Sequence, residues 1–324
     1  MLTTYNALIP IIAAIFLGYG LRRGRFFSDS FWLGVEQLTY YVLTPILLIH
    51  ALTANPLDSL PWKSFLLCLD TTILFCTLLL VAWQRWIRPL DASSFTSLFQ
   101  GGIRFNTFIA LALTNALFGE EGLLYAALAS AGMIILINIL CVAVFSISLP
   151  QNRFSAGNML RQLATNPLIL GCLIGLSLNL TGIDLPSAAK ETFSLIGRAA
   201  FPIGLLAVGA GLEIRRLTQD WELTLVSSVV QFLIKPLMAF LFTQLFGLNG
   251  LPAAIVILFL AVPTAPSSYI LSRQLGGNYQ AMAAIITFQT LSPLSRYRLP
   301  FGCWVSNNLT GSDKSHIHCR IKLA

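Results

Sequence analysis

Residues 96–118 read TSLFQGGIRFNTFIALALTNALF, and residues 251–272 read LPAAIVILFLAVPTAPSSYILS. Each is about as long as the 20 or so apolar residues that carry a helix across a bilayer, and each is interrupted near its centre. The first carries Gly101-Gly102, Arg104, Asn106 and Thr107; the second carries Pro263, Thr264, Pro266, Ser267 and Ser268. Proline donates no backbone hydrogen bond, so Pro263 and Pro266 break the second helix. The glycine pair and Asn106 weaken the first. In lipid, unpaired backbone groups persist only where they line a cavity or are buried in protein. Two helices broken at matching places are therefore expected to cross near the midplane. Their half-helix N-termini would present N–H groups and partial positive charge to an anion such as a carboxylate. Asn106, Thr107, Arg104, Pro263, Thr264, Pro266 and Ser267, with Ser268, are the candidate binding residues. The competing reading is of proline kinks and small packing residues, which are common in membrane helices.

Composition puts these stretches in context. Of 324 residues, 56 % are hydrophobic and 10 % charged, against about 45–50 % and about 25 % in soluble domains. So few charges cannot cover a water-soluble surface, which excludes a soluble enzyme and a disordered chain. The net charge of +7 is spread too thinly for a nucleic-acid patch. Cys68, Cys76, Cys141 and Cys172 lie in apolar runs without a CxxC pair and read as buried small hydrophobes. With only His50, His316 and His318 as histidines, no metal-ligand cluster is expected, and no cofactor is implied. The first apolar run lacks the pattern of a signal peptide and reads as a span.

The chain thus reads as an all-α polytopic membrane protein with the lipid bilayer as its main solvent. Spans fall near 5–21, 34–53, 64–84, 96–118, 123–149, 165–181, 191–212, 221–246 and 251–272, with a tenth starting near 281. Loop signals include Asn55-Pro56, Gly119 to Gly122 and Gly276-Gly277. With the N-terminus outside, the inside loops hold Arg22, Arg23, Arg25, Arg85, Arg88, Arg153, Arg161, Arg215, Arg216 and Arg273, and the outside loops only Lys63 and Lys190. That asymmetry fixes the expected orientation. Ten spans divide into two halves of five, 1–149 and 150–291, the second inserted upside down as in many secondary transporters. Stretches 105–119 and 262–276 have equal length, aligning Thr107 with Thr264 and Asn106 with Pro263. Pro45-Ile46-Leu47-Leu48 likewise resembles Pro202-Ile203-Gly204-Leu205. Residues 292–324 form an atypical basic tail with Arg296, Arg298, Lys314, Arg320 and Lys322 against Asp313. It reads as an altered or truncated end of the tenth helix.

Charges inside spans are costly and face a cavity or a partner. Asp70 and Arg198 each lie about 10 Å deep at 1.5 Å per residue, so a salt bridge between them fits, as does a proton-carrying role for Asp70. Lys235 precedes Pro236 and reads as fixed positive charge on an anion path, or as a structural partner of Asp70 or of a backbone carbonyl. Arg104 reads as a substrate contact or as a snorkelling interfacial residue. Glu36 and His50 read as interfacial. Gly18-Tyr19-Gly20, Gly204, Gly209 and Gly211 read as close helix packing.

The pattern resembles the auxin efflux carrier family of membrane transporters, in its bacterial, malate- or malonate-permease-like form. The residues that carry the resemblance run from Pro10 to Gly18-Tyr19, Leu38 to Pro45, Arg104 to Thr107, and Asn166-Pro167 with Gly171 and Gly175. They continue through Pro202 to Leu212, Lys235-Pro236-Leu237 and Ala261 to Ala265. The resemblance implies ten helices in two inverted repeats, with helices four and nine crossing at the substrate site. It also implies the crossover role for Asn106, Thr107, Pro263, Thr264 and Pro266.

The expected function is a secondary transporter for a small organic acid, working by alternating access in a bacterial inner membrane. Proton coupling through Asp70 is one option, and homodimerisation stays open. Alternatives are a sodium-coupled organic-acid symporter of the bile-acid transporter type, or a membrane sensor without flux. There is no catalytic set, so an enzyme is not expected, and there is no nucleotide loop to couple ATP.

Overall fold

The computed structural model describes residues 2–54, 60–149, 156–183, 185–217 and 220–295, all helix and connecting loop without a strand. Asn55, Pro56, Arg153 and the basic tail from Arg296 onward lie outside the described residues. The helices are α1 (Leu2–Arg23), α2 (Asp29–Thr53), α3 (Trp62–Ile87), α4 (Ala92–Ile103), α5 (Thr107–Ser148) and α6 (Ala156–Ala164). They continue as α7 (Pro167–Leu180), α8 (Ser187–Ala210), α9 (Trp221–Leu245), α10 (Gly250–Ala261), α11 (Ser267–Leu275) and α12 (Tyr279–Ser295). Among the described residues, five stretches are long and apolar enough to cross a membrane: α2, α3, α4 with α5, α8 and α9. The protein is an all-α polytopic membrane protein.

Local chemistry sets the ends. Ser28 and Asp91 cap α2 and α4, accepting from Phe31 N and Ser94 N. Asn166 caps α7 ahead of Pro167 at the first helical position, where its missing N–H is harmless. The stretch Ala92–Ser148 covers 57 residues, which is two crossings rather than one. The chain turns back at Gly119, whose φ of 62° and ψ of −150° suit glycine alone. The reversal is visible in the contact of Arg104 Nη1 with Asn138 Oδ1 at 3.4 Å. A straight helix would hold these two residues about 50 Å apart.

Two groups of helices result. In the first, α1 lies along the second half of α8, and α2 lies on α7 and α8. Lipid offers no hydrophobic reward for helix pairing, so contact rests on close backbone approach. A Cβ on Gly209 would stand 1.8 Å from the Ile15 carbonyl, and one on Gly18 would stand 2.1 Å from that of Leu206. Gly171 and Gly197 meet the α2 backbone at Pro45 and Leu47 in the same way. The expected glycine packing therefore holds for Gly18, Gly209 and, against Phe108, Gly204, whereas Gly20 faces open space. The second group joins α3, α4, α9, α10 and α12, and α5 touches both groups. More of the buried core is in this second group than in the first, and Phe65, Phe99, Ile255, Phe259 and Ile285 are fully enclosed there.

Candidate functional site

The two interrupted stretches meet. Helix α4 ends at Ile103, and Arg104 and Asn106 continue in extended conformation before α5 begins. Helix α10 ends at Ala261, and Val262 is likewise extended. The Asn106 N–H donates to the Pro263 carbonyl at 2.8 Å, and the Phe105 and Phe259 rings pack 5.8 Å apart. The glycine pair instead admits the neighbouring helices to the end of α4: a Cβ on Gly101 would lie 2.8 Å from Ile285 of α12, and one on Gly102 would lie 3.1 Å from Leu80 of α3.

The freed backbone groups are satisfied by buried side chains. Lys235, fully enclosed, donates from Nζ to Gln231 Oε1 at 2.7 Å, to the Ile103 carbonyl at 3.2 Å and to the Arg104 carbonyl at 3.5 Å. Its ammonium thus sits at the C-terminal end of α4, where the helix dipole is negative. Gln231 Nε2 donates to the Val262 carbonyl, closing the end of α10. Gln289 bridges the two breaks, accepting from Thr264 N at 3.0 Å and donating to the Gly101 carbonyl at 3.0 Å. The Thr264 hydroxyl donates to the Gln100 carbonyl at 3.2 Å, and Gln100 Nε2 reaches Ser272 at 2.8 Å. Of the two sequence-based options for Lys235, the carbonyl partner is the one seen.

Asn106 is 1 % exposed. Its Oδ1 accepts from Phe108 N and Ile109 N at 3.1 and 3.2 Å, capping the half-helix, and its Nδ2 has no partner. The side chain therefore takes two of the N–H groups that the sequence left for an anion, and leaves a buried amide donor, without a partner among the described residues, in their place. Arg104 donates to Ser267 Oγ at 3.2 Å and to Asn138, so it ties the first break to the start of α11 and is not snorkelling. Thr107 is half-buried beside Asn106. Ser268 is fully buried, 3.3 Å from the Thr264 hydroxyl. From α2 of the first helix group, Tyr40 lies in the field of Arg104 and against Asn166.

The remaining candidates lie apart. Arg198 does not pair with Asp70; its Nη2 bonds Glu120 Oε1 at 2.6 Å, with His50 Nε2 3.6 Å from Glu120 Oε2. The reason is the turn at Gly119, which brings Glu120 back to the end of α2 and the middle of α8. Asp70 shares the α3 face of Leu67, Leu74 and Leu78, which are 52, 43 and 69 % exposed, and its Oδ1 is buried without a partner. Among the described residues no cluster of acids, cysteines and histidines fits a metal ion. Sequence reading missed Gln100, Gln231 and Gln289. Gln231 was within reach, since it stands four residues before Lys235 on one helix face.

A family described as membrane transport protein matches residues 3–295. The chain belongs to this family, the auxin efflux carrier family. Family membership covers nearly every described helix, including both breaks. An uncharacterized transporter of Methanothermobacter thermautotrophicus is 24 % identical, over 91 % of this chain and 96 % of its own length. The uncharacterized transporter YfdV of Escherichia coli K12 is 21 % identical, over 92 % and 98 %. As members of a transporter family are generally not enzymes, the absence of a catalytic set from the sequence agrees with the family.

Proposed function

We propose that the protein is a secondary transporter for a small organic anion, cycling by alternating access with the crossover as its substrate seat. The observation that carries this reading is the buried Asn106 Nδ2, which has no partner among the described residues, two positions from Arg104 where two broken helices touch. A buried amide donor without an acceptor costs about 1–3 kcal/mol, and a carboxylate arriving from the gap between the helix groups would remove that cost. The first group is the static partner and the second the moving one. The inverted halves 1–149 and 150–291 are part of the reading, supported by the equivalent breaks in α4–α5 and α10–α11. The arginine-rich ends are assigned to the cytoplasm and the N-terminus to the outside, in a bacterial inner membrane.

Lys235 bears on coupling. A sodium ion at a crossover needs carbonyls and carboxylates; here the carbonyls of Ile103 and Arg104 already hold an ammonium. That supports a transporter with its cation built in, with Asp70 left as the candidate proton carrier. The test is flux of a panel of labelled mono- and dicarboxylates into vesicles, with sodium replaced by choline. Saturable flux of at least one acid without sodium is expected. Flux of none, or saturable binding without counterflow, would overturn the transporter reading in favour of a sensor.

A further inference from the structure

Helices α3 and α9 touch near one end and part at the other. Cys68 Sγ approaches the Ala239 carbonyl at 3.9 Å and the Phe75 and Phe242 rings pair at 6.2 Å. Toward Trp86 and Trp221 the start of α9 leaves α3 and packs on α4 and α12 instead. A wedge of about 380 Å³ opens between them, walled by apolar side chains that include Trp83, Trp86, Leu225 and Val229. Val230, at its inner wall, lies over Gly102 near the end of α4, two residues before Arg104. Trp86 is 79 % exposed, so the wedge opens sideways to lipid.

A second cavity, of about 300 Å³, lies directly beyond the mouth of the wedge and differs in chemistry. Asp91, Ser94, Asp220 and Glu222 line it. The two linings are neighbours along the chain on both sides, with Trp86–Ile87 followed by Leu90–Asp91 and Leu223 followed by Leu225. Between them Arg88 Nη2 bonds Glu222 Oε2 at 2.7 Å. Arg85 and the Asp220 carboxylate are exposed, with no partner among the described residues. Asp91 stays ionised: burial pushes its carboxyl up, but hydrogen bonds from Ser93 and Ser94 outweigh this and hold it below the usual carboxylate range.

We propose that the wedge and its acidic mouth form one binding site for an ethanolamine phospholipid. One acyl chain fills the wedge, the phosphate lies on Arg85, and the ammonium sits between Asp220 and Asp91. The sign pattern selects the headgroup. Arg88 is already neutralised by Glu222, which leaves one free cation for the phosphate and an acid-lined cavity behind it. A glycerol headgroup brings no positive charge to that cavity, and a choline headgroup brings no N–H donor for the carboxylates. A chain seated in the wedge also backs the end of α4 from the side opposite the crossover.

The full-length protein in mild detergent, given equal amounts of ethanolamine, glycerol and choline phospholipids with identical chains, provides the test by mass spectrometry of the retained lipid. The ethanolamine lipid should be retained several-fold over the other two. Asp220→Asn, a surface change, should lower that preference about twofold to fivefold, the effect of one exposed ion pair. Ala82→Phe, which fills the wedge, should lower retention of all three, with a thermal melt on the same sample reporting folding. Equal retention of the three lipids by the parent overturns the site, as does preference for the glycerol lipid. Preference that persists unchanged in Asp220→Asn overturns the role of the acidic mouth. None of these readouts depends on which solute the crossover carries.

Discussion

Asn106 does two jobs with one amide, and two substitutions separate them. Its Oδ1 caps the half-helix at Phe108 N and Ile109 N, while its Nδ2, in the proposed seat, is the donor for the substrate. Serine caps a helix about as well as asparagine, whereas alanine loses about 0.5–2 kcal/mol. Neither residue can replace Nδ2. A hydrogen bond to a charged acceptor contributes about 1.5–3 kcal/mol, which is about 10- to 150-fold in affinity. Asn106→Ser and Asn106→Ala should therefore weaken anion binding by that same factor. Only Asn106→Ala should also melt earlier, by the value of the cap. Binding of the labelled acid to purified protein and a thermal melt on the same preparations give both numbers. If Asn106→Ser binds the anion as the parent does, the amide serves only as a cap and the proposed seat is wrong. If both variants melt alike, the capping assignment fails instead.

Three further outcomes are expected. Flux by the parent should be unchanged when choline replaces sodium, and Lys235→Met should abolish it by leaving the Ile103 and Arg104 carbonyls and Gln231 Oε1 without a donor; sodium-dependent flux in the parent would remove the built-in cation. Gly209→Val should destabilise the protein by at least about 1–3 kcal/mol, because its Cβ falls 1.8 Å from the Ile15 carbonyl, whereas Gly20→Ala, in open space, should melt with the parent. Asp70→Asn should retain anion binding but lose the dependence of flux on a pH gradient, and a variant still driven by that gradient would exclude Asp70 as the proton carrier.

Much of the fold is legible along the chain because lipid simplifies the problem. A bilayer demands long apolar helices with internally satisfied backbones, so composition and run length locate the spans, and Pro263, Pro266 and the Gly101-Gly102 pair mark where two of them break. The candidate site was legible in part. Arg104, Asn106 and Thr264 interrupt apolar runs and attract notice, whereas Gln231 and Gln289 look like ordinary helix residues until their carbonyl partners are in view.

Pairing across the fold was not legible, and the charged residues show why. Asp70 and Arg198 lie at equal depth by residue count, but depth leaves rotation about the helix axis undetermined. The structure turns Asp70 toward the lipid-facing stripe of α3 and gives Arg198 to Glu120. The amino-acid sequence alone determined that this is a helical membrane protein with two interrupted helices, because those features follow from local hydropathy and from residues that cannot complete a helix. Only the tertiary structure decided that the interruptions touch, that Lys235 and two glutamines close them, and that one amide donor of Asn106 is left over. Those outcomes depend on which helix faces which, as where Gly101 and Gly102 let Ile285 and Leu80, far along the chain or on another helix, pack on the end of α4.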